Sequence, residues 1–466
     1  MNEKEFELFD NKKYYRNKIC YILLGFNSGL ITLSDLAIEY YLKDVLEVEP
    51  SSLANMTAFT KFPYIIKFLF GLITDLFPIF GYRRKNYILI ISIIYDISWI
   101  IVIFIVNNIY IFLFLIFIIN SCISFSTVIA HAILIETTEM ENNNNKSDVS
   151  LYFLVKNLGM LIASYMKGIL LEKFSIKITF YVSTFNSIFL FISFFLFVEV
   201  PIVNDNNNVK VSIQNSQSNN KKEVSSIKKS FISFKKYLYN KDILFTFTFL
   251  MILVSCPTYN EALFYFTTNK LNFTPYYFGN IHTIAVVVNL FFILLYKKYL
   301  SKLSFKSIII IAKICLFIVL MLNYFLIKQN ITNLISNYYL YMFIYSMNMS
   351  LITLRNLPIF EIGAILSPKN LEGTVYAIFM GILNFGQIAA SFLGSLLMKY
   401  FSISKNNFTN LIIMINIINL IGILPLGLIG FIPKKYLQRE ISIVTINKEE
   451  EDNKHLVRIE VQEEKI

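Results

Sequence analysis

Long uninterrupted apolar runs constrain what this chain can fold into more than any other feature of its sequence. The stretches 87–106, 109–129, 178–198 and 305–326 are almost wholly apolar. A bilayer's hydrocarbon core is about 30 Å thick and an α-helix rises about 1.5 Å per residue, so a crossing takes roughly 20 such residues. The chain is 56% hydrophobic and 16% charged over 466 residues, too little charge to cover a soluble protein of that size. Lipid is therefore the expected surrounding of most of the chain. Residues 1–18 are polar and charged, so the apolar segment that follows is expected to be a retained helix, not a cleaved leader.

About twelve spans are expected, over 19–42, 53–75, 86–107, 109–136, 149–171, 177–199, 242–267, 275–296, 305–327, 338–366, 373–401 and 408–433. A hydrophilic stretch rich in Asn, Ser and Lys, residues 200–241, separates the sixth from the seventh and reads as a disordered linker. This gives an all-α membrane protein with a tail at 1–18, a six-helix half at 19–199, a second at 242–433, and a tail at 434–466. Six spans, a charged linker and six spans resemble the layout of the major facilitator fold.

Loop charge indicates the orientation. Lys12, Lys13, Arg16, Lys18, Arg83, Arg84, Lys85, Lys297, Lys298, Lys302, Lys306, Lys434 and Lys435 fall on one side with the linker lysines. The other side has fewer cations (Lys43, Lys270 and Lys328), and Asp44, Glu47 and Glu49 offset the first of them. Both termini and the linker are therefore expected in the cytoplasm. The net charge of +11 sits mainly in loops, which argues against a nucleic-acid partner. Cys20, Cys122, Cys256 and Cys315 lie in or beside apolar segments and are expected to pack as small apolar groups. With no metal-ligand spacing, phosphate loop or nucleophile elbow, no catalytic residue, metal or cofactor is expected.

Ionisable groups inside spans usually face a partner or a water-filled path. Ser28, Thr32, Asp35 and Glu39 form one stripe in the first span; solvation at the outer helix end is the alternative for the two acids. Lys156 and Lys167 lie close to three turns apart on the fifth span, with Gly159 and Ala163 between them. They suit an anionic solute, unless they snorkel to opposite interfaces. Lys61, Lys67 and Arg355 add cations, and Asp96, Glu136, Glu261 and Glu361 add acids. His131 is a candidate proton acceptor, against the plainer reading of a hydrogen-bonded structural group. Asn384, Gln387, Ser391 and Ser395 form an uncharged stripe in the eleventh span, where Gly381, Gly386 and Gly394 permit close packing. Asp35, Lys156, Lys167, Arg355, Asn384 and Gln387 are the expected substrate contacts. Asp35, His131, Glu136 and Glu261 are the expected proton-coupling groups.

The most specific local signal runs from Gly71-Leu-Ile-Thr-Asp75 through Phe77-Pro-Ile-Phe-Gly81-Tyr-Arg83-Arg84-Lys85. A carboxylate at a helix end, a Pro/Gly turn and a cationic cluster make a charge-assisted latch, so Asp75, Gly81, Arg83, Arg84 and Lys85 are the expected gating residues. With Leu36-Ala-Ile-Glu-Tyr40-Tyr-Leu-Lys43-Asp44, Ala262 through Gly279, Leu357-Pro-Ile-Phe, Ser367-Pro through Glu372-Gly373-Thr374, and Asn384-Phe-Gly386, it resembles the folate–biopterin transporter family. The resemblance covers both halves of the membrane region. It departs at Phe68, where the family has Pro, and at Ser367, where it has Cys. It departs also at His131-Ala-Ile-Leu-Ile-Glu136, where the family begins with Asp.

The resemblance implies a secondary carrier of folates or pterins, coupled to protons and not an enzyme. Another small solute, such as S-adenosylmethionine, an amino acid or another organic anion, is the alternative cargo. A transporter-like receptor or scaffold is the reading from another class. The carrier is expected as a monomer in the lipid of the plasma membrane, with an organelle membrane as the alternative.

Overall fold

The structure is a computed structural model that describes residues 3–105, 108–140, 146–201, 241–328, 334–365 and 372–431. The interior of the expected linker, residues 202–240, the tail at 434–466, and residues 367–371 of the connection before the eleventh span lie outside the described residues.

The apolar runs form helices because a backbone in hydrocarbon must satisfy its own N–H and C=O groups. In the first half these are α1 (Glu3–Leu30), α2 (Asp35–Tyr40), α3 (Pro50–Thr60), α4 (Lys67–Leu76), α5 (Lys85–Ile105), α6 (Ile109–Met140), α7 (Lys146–Lys173), α8 (Ile176–Thr184) and α9 (Ser187–Leu196). The second half contains α10 (Lys241–Val254), α11 (Asn260–Asn269), α12 (Pro275–Lys298), α13 (Phe305–Met321), α14 (Asn323–Ile327), α15 (Leu334–Ile365), α16 (Glu372–Tyr400) and α17 (Leu411–Ile423). Among the described residues, ten helical segments are long and apolar enough to cross a membrane. The expected seventh span is instead two shorter helices, α10 and α11, interrupted around Pro257. The expected tenth span, α15, has 32 residues but is diluted by Arg355, Asn356 and Glu361 and is not among those ten.

The breaks have local causes and distant remedies. Pro63 lacks an N–H and interrupts the second span between α3 and α4. The carbonyls this frees are taken up by side chains from other helices: Asn120 Nδ2 donates to Thr60 O at 2.9 Å and Asn384 Nδ2 to Tyr64 O at 2.8 Å. At the other break, the Thr258 N–H reaches Ala390 O on α16 at 3.2 Å.

Within the first half α1 packs on α6, α7 and α9, and α5 on α6, α8 and α9. Within the second, α12 and α13 pack on α15, and α10 on α16. The halves meet along α7 with α12 and along α3 with α16. Large apolar side chains such as Phe104, Phe114, Phe291 and Leu294 remain exposed on the outer surface, as a lipid-facing girdle requires.

At the end away from the linker the halves also touch through polar groups. Lys405 N–H donates to Glu49 at 2.9 Å, Lys405 Nζ pairs with Glu47 at 3.2 Å, and the Tyr265 hydroxyl donates to Val48 O. Tyr40 meets Phe264 edge-on at 5.2 Å beneath them.

The α7–α12 crossing depends on two glycines. A Cβ on Gly168 would lie 2.7 Å from the Gly279 Cα, so neither position accepts a side chain without parting the helices. Gly168→Val should lower the thermal midpoint of the purified protein, by an overpacking cost of about 1–3 kcal/mol. Gly427→Val, where a Cβ meets nothing within 4 Å, should leave it in place. Equal midpoints for the two variants would contradict this packing.

Candidate functional site

Charged and polar side chains fall at three levels along the chain's helices, two within the helix bundle and one at the linker end. The middle level straddles both halves. Asp35 begins α2 just beyond the 3-10 turn Ile31–Leu33, and Glu39 follows one turn on. Asp35 lies within the fields of Lys167 and Lys61, and Glu39 within those of Glu261, Asp35, Lys167 and Lys61. Glu261, on α11, faces Lys61 and Thr57. None of these five ionisable groups makes an ion pair among the described residues. Asp35 and Lys61 are exposed. Lys167 is only 4% exposed, so it does not snorkel to an interface. Of the acids of the first span, Asp35 is exposed and Glu39 is half-buried.

Aromatic rings border this level. His282 and Tyr345 stack at 4.7 Å with an interplanar angle of 19°. His282 senses Lys167, and Tyr345 senses Glu39 and Asp35. Tyr341 and Tyr64 complete the border beside Glu39 and Asp35. The sequence drew no attention to His282, because a lone histidine in the long apolar helix α12 carries no local signature.

Lys156 and Lys167, expected on one face, belong to different levels. Lys156 lies with Lys67 and His131 nearer the linker end. Arg355, 7% exposed, belongs to neither level. It donates to Asn356 Oδ1 at 2.9 and 3.1 Å beside Lys313, whose ammonium donates to Gly422 O at 3.0 Å. Asn384 holds the broken second span, as described above, and Gln387 is exposed one turn further along α16.

The third level is the latch. Arg84 pairs with Asp75 at 3.4 Å and with Glu136, which places Glu136 with the gating groups and not with the central carboxylates. Phe80 and Gly81 take left-handed backbone angles, φ 49° and 80°, and the turn is closed by paired backbone bonds between Ile79 and Tyr82. A glycine at 81 fits that conformation without strain. Glu199, at the end of the sixth span, is the group sequence reasoning missed. Its carboxylate accepts the backbone N–H groups of Arg83, Arg84 and Lys85 at 2.9–3.2 Å. It thereby caps the start of α5 from a distant part of the chain and places a negative charge at the positive end of that helix dipole.

Helical halves meeting around charged interior groups, with the Arg84 ion pairs at one end, describe a membrane transporter of major facilitator fold. Solved structures agree on the fold. A nucleoside transporter, NupG, superposes with a TM-score of 0.64 at 14% identity over 89% of this chain and 98% of its own. A D-xylose–proton symporter gives 0.63 at 14% identity over 91% and 98%. The chain belongs to the BT1 family, whose model matches residues 28–453. It is similar to "Folate transporter 1" of Plasmodium falciparum (isolate 3D7), 32% identical over 91% of this chain and 82% of that one. It is also similar to the "Folate-biopterin transporter" of Synechocystis sp. (strain ATCC 27184 / PCC 6803 / Kazusa), 26% identical over 88% and 80%. The family membership expected from the residues around Gly71–Lys85 therefore holds, and the chain is a transporter, not an enzyme.

Removing the trans cap should loosen the latch. In Glu199→Ala, trypsin should cut after Arg83 and Arg84 about tenfold faster than in the wild type, the effect of losing charge-assisted hydrogen bonds worth about 1.5–3 kcal/mol. An unchanged cleavage rate would show that Glu199 does not hold the turn.

Proposed function

We propose that this chain carries folates or pterins across the plasma membrane as a monomer, by alternating access and in symport with protons. The observation that carries the proposal is the middle level: three carboxylates and two ammonium groups without ion pairs, beside a stacked pair of rings, where both halves meet. The chain's similarity to folate and folate–biopterin transporters supports the cargo class.

In this reading a flat heteroaromatic ring lies against His282 and Tyr345, and Lys61 and Lys167 meet its polar edge. Asp35, Glu39 and Glu261 share the proton-coupling role, since a proton taken up there changes the charge that the bound solute meets. Glu136 works through Arg84 at the latch. The contacts of Glu47 and Glu49 with Lys405, and of Tyr265 with Val48, hold the end away from the linker shut. Excess cations in the loops beside the linker support a cytoplasmic location for it and for both termini.

Purified protein in proteoliposomes should accumulate labelled folate or pterin, faster with the proton concentration higher on the side of entry. Asp35→Asn should abolish that gradient dependence. Correctly inserted protein that takes up no pteridine would overturn the reading. Asp75→Ala should cut turnover by about tenfold or more while ligand affinity in detergent changes by less than about threefold, because the latch stabilises a transition between states. Equal losses of both would remove Asp75 from the gate.

A further inference from the structure

The middle level does not use all the charged groups of the interior. Lys67 opens α4, His131 lies on α6 and Lys156 on α7, and the imidazole stands within the fields of both ammonium groups, which also sense each other. Each of the three is half-buried. Among the described residues neither ammonium has a hydrogen bond or an ion pair. Asp75 on α4 and Glu136 on α6 are both held by Arg84.

We infer that Lys67, Lys156 and His131 form a separate subsite that takes the anionic end of the transported solute, a carboxylate or phosphate group, on the linker side of the middle level. This rests on the reading of the chain as a carrier of a small solute and specifies which part of that solute goes where.

The positions follow from helix direction. The chain climbs α7 from the linker end, so Lys156 lies eleven residues before Lys167, about 16 Å lower. Lys67 stands six residues past Lys61 on the descending second span, on the same lower side. The backbone at Lys156 is pinned: a Cβ on Gly29 of α1 would lie 2.1 Å from its carbonyl oxygen. His131 is held edge-on by the ring of Tyr152 at 5.3 Å. Three basic groups are thus presented on a fixed frame.

The charge balance then sorts the ligand. The middle level sets Asp35, Glu39 and Glu261 against Lys61 and Lys167, an excess of carboxylate. Among the described residues the lower level has cations and no carboxylate. Two ammonium groups without a counter-charge in a largely water-free interior are costly, and an incoming anion relieves that cost. An elongated solute with a neutral ring at one end and carboxylates at the other fits both levels at once. A small neutral ring compound needs only the upper one.

Two measurements on the full chain in lipid nanodiscs or proteoliposomes test this. Glutarate, as a bare dicarboxylate probe, should raise the thermal midpoint of the wild type. It should fail to do so for Lys67→Gln, Lys156→Gln and His131→Asp, the last of which supplies an internal counter-charge. Lys156→Arg should retain the response, which separates loss of charge from misfolding. In uptake assays, the ratio of KM for folate to KM for an uncharged pterin should rise about tenfold in Lys156→Gln, the effect of one lost charge-assisted hydrogen bond. A glutarate response that persists in Lys67→Gln and Lys156→Gln, or an unchanged KM ratio, would overturn the subsite. A wild type that responds to glutarate yet transports no pteridine would overturn the cargo proposed above and leave the anion subsite standing.

Discussion

Much of the interior of this transporter follows from one broken helix. Pro63 interrupts the second span at a depth where water is scarce, and every carbonyl it frees must find a donor within the protein. Asn120 and Asn384 supply two, and Ser124 Oγ reaches Pro63 O at 3.3 Å. One of these donors comes from the opposite half, so the break is also a joint between the halves. It sets Lys61 above and Lys67 below, which divides the cations of one span between the two interior levels. The break at Pro257 has the same logic, with Thr258 bonded to Ala390 and Glu261 presented at the start of the helix that follows.

Close approach of backbones lets such a joint be tight. Gly168 against Gly279, and Gly381 against the Ile65 carbonyl at 2.7 Å from a built Cβ, bring the halves together with little side-chain bulk between them. Contacts of this kind slide and tilt more readily than interlocked large side chains. The charged interior groups therefore lie between surfaces suited to small relative movements, with polar locks at one end and the Arg84 latch at the other.

The fold was legible because lipid imposes a length and a composition on each span that local sequence shows directly. The Asp75–Arg84 ion pair and the turn at Gly81 were legible for a similar reason, since these residues lie within a short loop. Glu199 was not, because it meets Arg83–Lys85 only after four intervening helical segments have folded and brought the end of the sixth span beside the start of the third. The same distance hid the approach of Arg355 to Lys313 and the stacking of His282 on Tyr345. Helical spacing on α7 put Lys156 and Lys167 on one face. It did not reveal that the neighbours of each, contributed by α2, α4 and α6, assign them to levels of opposite charge balance. The seventh span was read as one run, although Pro257 and the polar residues Ser255, Thr258, Asn260 and Glu261 beside it mark the break.

The central claim is that the halves move about the middle level when solute binds there. Spin labels at Phe80, 91% exposed beside the latch, and at Tyr299, 58% exposed at the same end of the second half, report that movement directly. Double electron–electron resonance in nanodiscs should show the label distance shorten or split into two populations on adding folate, and return when Asp35 or Lys167 is neutralised. A single distance unchanged by saturating ligand would contradict a rocking carrier built around these residues.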